Sequence, residues 1–197
     1  MNMKKQIVIP ESLNDITLRQ YLEFSKVAET ITTEPTIENT LRTYKLVEII
    51  TNSTEEEIDE LGVKEMEVIS NSVKILIDNF TGFPEATDKH LHILGVDYAV
   101  KDINELDNGE YISLNLLKEQ YGQDTYELFP RMLAILIRPA TKEYDFERKE
   151  EVWNVDKFNR RDILNLELRA DIFLDNAKAG DVVPIINFFL NGIETPI

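Results

Sequence analysis

The chain has 197 residues, of which 43% are hydrophobic, and it is therefore long enough to bury a core as one domain or as two small ones. It carries 37 acidic and 21 basic residues, a formal net charge of -16. This charge argues against direct, sequence-specific binding of nucleic acid, because phosphate binding needs a basic surface. The absence of cysteine excludes disulfides, thiolate metal sites and a cysteine nucleophile.

The N-terminal segment predicts neither a signal peptide nor a membrane anchor. Lys4 and Lys5 precede a short, β-like apolar run from Ile7 to Ile9. A signal peptide needs an apolar stretch at least about twice as long. The longest apolar stretch, Met132 to Ile137, is far shorter than a bilayer-spanning helix and is expected in the core. We therefore expect no contact with a membrane.

Residues 1–84 are interpreted as a first helical unit. Thr17 and Gln20 have the spacing of a capping box, and apolar residues at helical spacing continue to about Ile31. Three further helices are expected in this unit, at Pro35 to Asn52, Thr54 to Gly62 and Val63 to Phe80.

Residues 85–97 are interpreted as a linker and a hairpin strand. His90 to Leu94 alternates in polarity and precedes a turn at Gly95, Val96 and Asp97, so it is expected to pair with Tyr98 to Val100. His90 and His92 lie on one face of such a strand. Zinc needs three or four ligands, so no metal site is assigned, and an exposed face or an intersubunit contact is expected instead.

Residues 98–197 are interpreted as a second helical unit. Its helices are expected at Asn108 to Tyr121, Thr125 to Ile137, Lys157 to Ala177 and Val183 to Asn191. Pro139 and Gly180 are expected to act as stops between them. The fold class is thus mainly α, with two tandem diverged helical units that are each preceded by a short β-like segment.

The evidence for two diverged copies is a pair of internal matches. Leu13 to Phe24 aligns with Ile103 to Leu114 at a shift of ninety residues, and both segments contain a capping box. Ile75 to Asn79 aligns with Ile172 to Asn176 at a shift of ninety-seven. The larger shift predicts an insertion of about seven residues, placed in the charged stretch near 143–151. The alternative is a chance match of two helical segments, since the residues involved are common ones.

No pattern typical of catalysis is present. A serine, histidine and aspartate arrangement would depend on His90 or His92, and no G-x-S-x-G turn occurs. The seven glycines form no nucleotide-binding motif. The acidic run from Glu55 to Glu60 is typical of a solvated helix face. We therefore expect a protein that is not an enzyme and that uses no cofactor.

Five aromatic residues are candidates for partner binding. Tyr144, Phe146 and Trp153 are set among charged residues, as interface anchors often are, although each could instead pack on the core of its own unit. Phe188 and Phe189 belong to a C-terminal segment that is apolar on too many sides for a lone surface helix. That segment either caps the core or docks on a partner.

The two ends of the chain and its acidic helical middle resemble a known class of proteins. The opening from Ile9 to Tyr21 (IPESLNDITLRQY) and the close from Asp181 to Phe189 (DVVPIINFF) are similar to small structural or assembly proteins of tailed bacteriophages, in particular the crAss-like phages of gut bacteria. No functional residue is carried over.

The resemblance implies a non-enzymatic virion structural protein. It would be made in the host cytoplasm and would act as an oligomeric subunit at the portal, neck or tail, in contact with other phage structural proteins. The alternatives are a cargo protein packaged in the capsid, a tail-assembly chaperone and, less expected, a host-directed enzyme.

Overall fold

The structure, a computed structural model, describes residues 7–32, 36–79, 90–101, 103–147 and 149–193. It is mainly helical, with 62% of the chain in helix and a small antiparallel sheet of four strands, which confirms the predicted class. The chain divides into two compact units. Unit 1 comprises Met1–Phe83 and Lys178–Gly180, and unit 2 comprises Pro84–Ala177 and Asp181–Ile197.

Unit 1 is built from helices whose starts are set by local caps. Its elements in chain order are a 3-10 helix Leu13–Asp15, α1 Leu18–Ala28, α2 Ile37–Thr51, α3 Glu55–Asp59 and α4 Val63–Asn79. Thr17 caps α1, and the Gln20 side chain accepts a hydrogen bond from the Thr17 N–H at 2.9 Å. The Gln20 amide also donates to the Ile49 carbonyl at 2.9 Å. The start of α1 is therefore tied to the end of α2.

One expectation for unit 1 is wrong, and others for unit 1 and for the linker lie outside the described residues. The β-like run from Ile7 to Ile9 is not a strand, because every strand among the described residues belongs to unit 2 and the run has no partner. Pro35, Phe80 and the expected linker at 85–89 lie outside the described residues. The helix expected from Pro35 begins, as described, at Ile37 after its N-cap Thr36.

Unit 2 combines the sheet with four helices. Its elements are β1 His90–Ile93, β2 Val96–Val100, a 3-10 helix Ile103–Glu105, α5 Asn108–Tyr121, α6 Thr125–Leu136, β3 Ile137–Asp145, β4 Glu150–Val155, α7 Ile163–Asn176 and α8 Ala179–Ile193, whose first two residues belong to unit 1. The strands follow the order β1-β2-β3-β4. The expected burial of the Met132 to Ile137 segment is confirmed, since none of its residues is more than 3% exposed.

The predicted β1–β2 hairpin is present, but its turn lies one residue earlier than expected. Ile93 pairs with Val96, so the loop consists of Leu94 and Gly95. Both loop residues have positive φ, 52° and 80°, as a tight two-residue hairpin requires. Val96 and Asp97 therefore belong to β2 rather than to the turn.

Two predictions for the second half of unit 2 were wrong, and one element was not predicted. The charged stretch near 143–151, in which an insertion is predicted, lies in the unpredicted β3–β4 hairpin. Helix α7 begins at Ile163 rather than Lys157, after the N-cap Asp162. Gly180 does not end a helix but lies in the first turn of α8. A Cβ atom at Gly180 would lie 1.8 Å from Asn14 Oδ1, so close packing rather than helix termination explains this glycine.

The internally matched segments occupy corresponding places in the two units. The 3-10 helices Leu13–Asp15 and Ile103–Glu105 are ninety residues apart, as are the N-caps Thr17 and Asp107. Helices α4 and α7 end ninety-seven residues apart. The order of a 3-10 helix followed by two α-helices is common to both units, and their origin as copies stays a prediction.

Candidate interaction arm

The β3–β4 hairpin extends beyond the sheet. Strand β3 pairs with β2 only from Ile137 to Pro139, and from Ala140 to Asp145 it pairs with β4. Residues 141–154, which we call the arm, therefore form a ribbon of two strands. The Ile137 side chain is fully buried, whereas Tyr144 is 51% exposed, so the arm leaves the core as β3 proceeds.

The strand register places the aromatic residues of the arm on one face. Lys142 is paired with Trp153 and Tyr144 with Glu151. Directly opposed residues share a face and alternate residues along a strand do too, so Tyr144 and Trp153 are diagonal neighbours on the same face. Phe146 packs edge-on against Tyr144, with ring centroids 5.1 Å apart. We call Tyr144, Phe146 and Trp153 the aromatic stripe.

The aromatic stripe becomes more exposed toward the tip of the arm. Trp153 is half-buried and stacks on the His90 ring of β1, with centroids 4.5 Å apart. Phe146, at the tip, is 84% exposed. Trp153 thus fixes the base of the arm to its own unit, while the two outer rings are open to solvent.

Charged residues border the aromatic stripe. Lys142 forms an ion pair with Glu151 across the two strands, on the same face as the stripe. The turn contains Lys149, which has a positive φ of 56°. The other face carries mainly polar residues, among them Thr141, Glu143 and Asn154. Large aromatic rings inside a charged border are the usual composition of a protein interface.

The two C-terminal candidates have different environments. Phe188 is 55% exposed, whereas Phe189 is 1% exposed and belongs to the core. Consecutive helical residues point about 100° apart, so one ring faces solvent and the next faces inward. Phe189 is therefore removed from the candidate surface residues, which the structure reduces to Phe188 and the aromatic stripe.

The histidines of β1 make contacts of different kinds. His90 stacks on Trp153, and His92 Nδ1 lies 2.6 Å from Asp97 Oδ1, its cross-strand partner. Within the described ranges, no group of three or more histidine, cysteine, aspartate or glutamate residues is placed to hold a metal ion. No helix in the described part of the chain has the length and apolar character that crossing a membrane requires.

A buried ion pair in unit 2 was not foreseen from the sequence. Glu110 is fully buried, and its Oε2 accepts a hydrogen bond from the Asp107 N–H at 2.7 Å. Its Oε1 lies 2.8 Å from Nη2 of Arg138, which is itself 4% exposed. Neither Glu110 Oε1 nor Arg138 Nε makes a well-aligned hydrogen bond within the described protein, so the pair is held by charge. Burial and the nearby Arg138 lower the pKa of Arg169.

A cavity of about 430 Å³, lined by both charged and apolar side chains, adjoins this ion pair. Its charged lining residues are Lys101, Glu105, Asp107, Arg138, Asp156 and Lys157, three of each sign. This balance favours neither an anion nor a cation. The ion pair is therefore interpreted as structural, because it joins the start of α5 to β3.

The fold and the arm together define a mainly helical protein with a projecting aromatic β-hairpin. Among known proteins, no family model, no curated sequence and no solved structure matches the chain.

Proposed function

We propose that the protein is a non-enzymatic structural protein of a bacteriophage virion, an oligomeric subunit of the portal, neck or tail. The phage assignment rests on the resemblance of the segments Ile9 to Tyr21 and Asp181 to Phe189, and the aromatic stripe on the arm supports the contact with a partner. A two-stranded ribbon is at best marginally stable alone in water. Contact with a partner would stabilise it, since fully burying one Phe side chain contributes about 1.5–3 kcal/mol.

The acidic charge supports a role in assembly. A formal charge of -16 keeps an unassembled subunit soluble although its surface carries Phe146 and other apolar side chains. In a particle that holds DNA, an acidic surface next to the duplex also repels it weakly and lets it slide. Both effects suit a subunit that is made in the host cytoplasm and then incorporated into the virion beside other phage structural proteins.

The proposal extends to the internal organisation of the chain. We infer that units 1 and 2 are diverged copies of one helical module, supported by the corresponding positions of their first 3-10 helices and of the ends of α4 and α7. An experimental structure tests this inference directly. Residues 13–79 and 103–176 should superimpose outside the β3–β4 hairpin, and a different helix arrangement in the two units would contradict it.

The decisive experiment is quantitative mass spectrometry of purified virions. A portal, neck or tail subunit should be recovered at a fixed copy number that is a multiple of a ring symmetry. A cargo protein should be present in particles but lost once the genome has been ejected. A tail-assembly chaperone should be found in infected-cell lysate and be absent from mature particles, which would refute the proposal.

The role of the arm in incorporation can be tested with a matched pair of variants. We expect Phe146→Ser to reduce recovery of the protein in virions, because it removes the most exposed ring of the aromatic stripe. Val63→Ser is the control, since Val63 is 87% exposed and lies in unit 1, away from the arm in the sequence. Equal incorporation of both variants would show that the arm is not the contact surface.

A further inference from the structure

The sheet of unit 2 ends in an open edge at β4. Strand β4 is last in the order β1-β2-β3-β4, and β3 is the only strand with which it pairs among the described residues. No helix in the described part of the chain packs extensively on β4. The free edge of an end strand presents backbone N–H and C=O groups to which a further strand can add. Since a two-stranded ribbon is only marginally stable, a third strand would stabilise the arm.

The side chains of β4 limit which strand can add to this edge. Glu150 and Glu151 begin the strand and are exposed. Val152, Trp153 and Val155 follow and are half-buried. The two carboxylates disfavour pairing with a second copy of β4 or with any other acidic strand, because like charges placed side by side repel. The edge therefore suits a strand that begins with basic residues and continues with apolar ones.

Residues 4–9 of the chain have this composition. Their sequence is KKQIVI, in which two lysines precede a β-branched run. β-branched residues favour extended strands. Ile7, Val8 and Ile9 nevertheless belong to no strand of the described chain, and Val8 is 73% exposed. An apolar run suited to a strand therefore has its middle residue in solvent.

We propose that residues 4–9 of a second copy add to the outer edge of β4 as a parallel strand. In this register both lysines lie opposite glutamates, and both isoleucines lie opposite apolar residues on the face of the aromatic stripe. The pairs are Lys4 with Glu150, Lys5 with Glu151, Ile7 with Trp153 and Ile9 with Val155. An antiparallel strand over the same residues would place the apolar run opposite the glutamates. The charges therefore select the parallel direction, although parallel pairing is slightly less stable per residue.

This proposal rests on the proposed oligomeric role and names its interface. The donated segment belongs to unit 1 and the open edge to unit 2, so each copy can donate one and receive the other. Such a heterologous contact builds a ring where the rotation between copies closes, and a filament where it does not. Repulsion between two acidic copies is screened beyond about 8 Å at physiological ionic strength, so the local charges at the edge decide the contact.

The first experiment measures self-association of the full-length chain by sedimentation velocity over a range of concentrations. The wild-type protein should form oligomers. Adjacent N–H groups of a strand point to opposite edges, so either Ile7→Pro or Val8→Pro removes a donor that faces β4 and should weaken association at least about tenfold. Val63→Pro is the control, since Val63 is exposed and begins α4, where proline is accepted. If neither variant associates more weakly than the control, the proposal is overturned.

Cysteine pairs give the sharpest test of the register, because the chain contains no cysteine of its own. Lys4→Cys with Glu150→Cys in one chain should form disulfide-linked dimers and larger species on mild oxidation. The control is Lys4→Cys with Asn154→Cys, because Asn154 lies on the same face but about 13 Å further along β4. A disulfide needs Cα atoms within about 7 Å, so the control pair should cross-link far less. Equal cross-linking of the two pairs, or disulfides formed only within single copies, would overturn the proposal.

A charge exchange tests the direction of the added strand. Lys4→Glu should weaken association, and Glu150→Lys in the same chain should restore it. Lys64→Glu, which makes the same charge change at an exposed position of α4, is the control and should have little effect. Failure of Glu150→Lys to restore association would contradict the proposed pairing.

The outcomes separate this inference from the proposed function. A wild-type chain that stays monomeric at every concentration would overturn the strand addition, and so would association that does not depend on residues 4–9. Recovery of the chain from virions at fixed copy number would still support the structural role in both cases. Strand addition between copies of a chain that is absent from virions would refute the structural role alone.

Discussion

The buried ion pair of unit 2 gives the most quantitative prediction. Glu110 caps the start of α5 and at the same time provides the carboxylate that faces Arg138. The Glu110→Ala variant removes both interactions. It also leaves the guanidinium of Arg138 buried, near that of Arg169, without its carboxylate partner.

The expected loss follows from these two contributions. Removing one partner of a buried ion pair costs about 3–5 kcal/mol, because the remaining charge is left without compensation. Loss of a cap costs about 1 kcal/mol. Glu110→Ala should therefore lower the free energy of unfolding of unit 2 by about 4–6 kcal/mol, a large part of the roughly 5–15 kcal/mol typical of a domain.

Urea denaturation followed by tryptophan fluorescence measures this loss. Trp153 is the only tryptophan of the chain and lies in unit 2, so its emission reports on that unit. Gln20→Ala in unit 1 is the matched control at the corresponding capping position, with circular dichroism as its readout. Gln20 makes neutral hydrogen bonds to the Ile49 and Ile50 carbonyls, so we expect a loss of only about 1–2 kcal/mol.

A second variant tests whether charge is the cause. Combining Glu110→Ala with Arg138→Met removes the uncompensated guanidinium, and the double variant should recover at least half of the lost stability. If the double variant is no more stable than Glu110→Ala alone, this reasoning is refuted. Lost packing, and not the uncompensated charge of Arg138, would then cause the loss of stability.

Three further predictions concern local structure. Thr17→Ala and Asp107→Ala each remove an N-cap and should each lower the free energy of unfolding by about 1 kcal/mol in urea denaturation; no change would show that the caps are dispensable. Gly180→Ala should lower the free energy of unfolding by about 1–3 kcal/mol through overpacking, because the added Cβ would meet Asn14 Oδ1. If that contact is responsible, adding Asn14→Ala should restore most of the lost stability. Burial raises the pKa of Tyr98 above its ordinary value. The stability that the neutral phenol contributes is therefore complete below the unfolded-state pKa of about 10. It is lost as the pH rises through the higher folded-state pKa. When urea denaturation is repeated above a pH of about 10, the free energy of unfolding should therefore fall less for Tyr98→Phe than for the wild type. An equal fall in both proteins would show that ionisation of Tyr98 does not cause the loss.

The helices were predictable because their signals are local. The capping boxes at Thr17, Thr54 and Asp107 are all formed, and the helices that follow them begin at the next residue. A cap depends on residues three positions apart, and helical periodicity on residues three or four apart. Neither needs information from a distant part of the chain.

The arm was not predictable because its usual signals are missing. Strand β3 directly follows the last residue of α6, and the apolar run crosses that boundary without a break. The turn before β4 contains no glycine, proline or asparagine, and Lys149 adopts the positive φ that glycine usually provides. The β-branched and aromatic residues of the two strands, such as Tyr144, Val152 and Trp153, were the available signal for a strand.

The sequence predicts which residues belong to the candidate site, but not that they share one surface. Tyr144, Phe146 and Trp153 were identified because they are aromatic residues among charges. Their common face follows only from the β3–β4 register. The sequence predicts the capping box to which Glu110 belongs, because capping spacing is local, whereas Arg138 is brought to Glu110 by the packing of β3 near the start of α5.

The proposed duplication explains why the arm occurs in unit 2 alone. In unit 1 the interval between the second helix and the last, α2 and α4, contains the short helix α3. In unit 2 the interval between α6 and α7 contains the β3–β4 hairpin, which forms the arm. If the units are copies, their divergence is therefore concentrated at this interval, and residues 13–79 and 103–176 should superimpose everywhere except there.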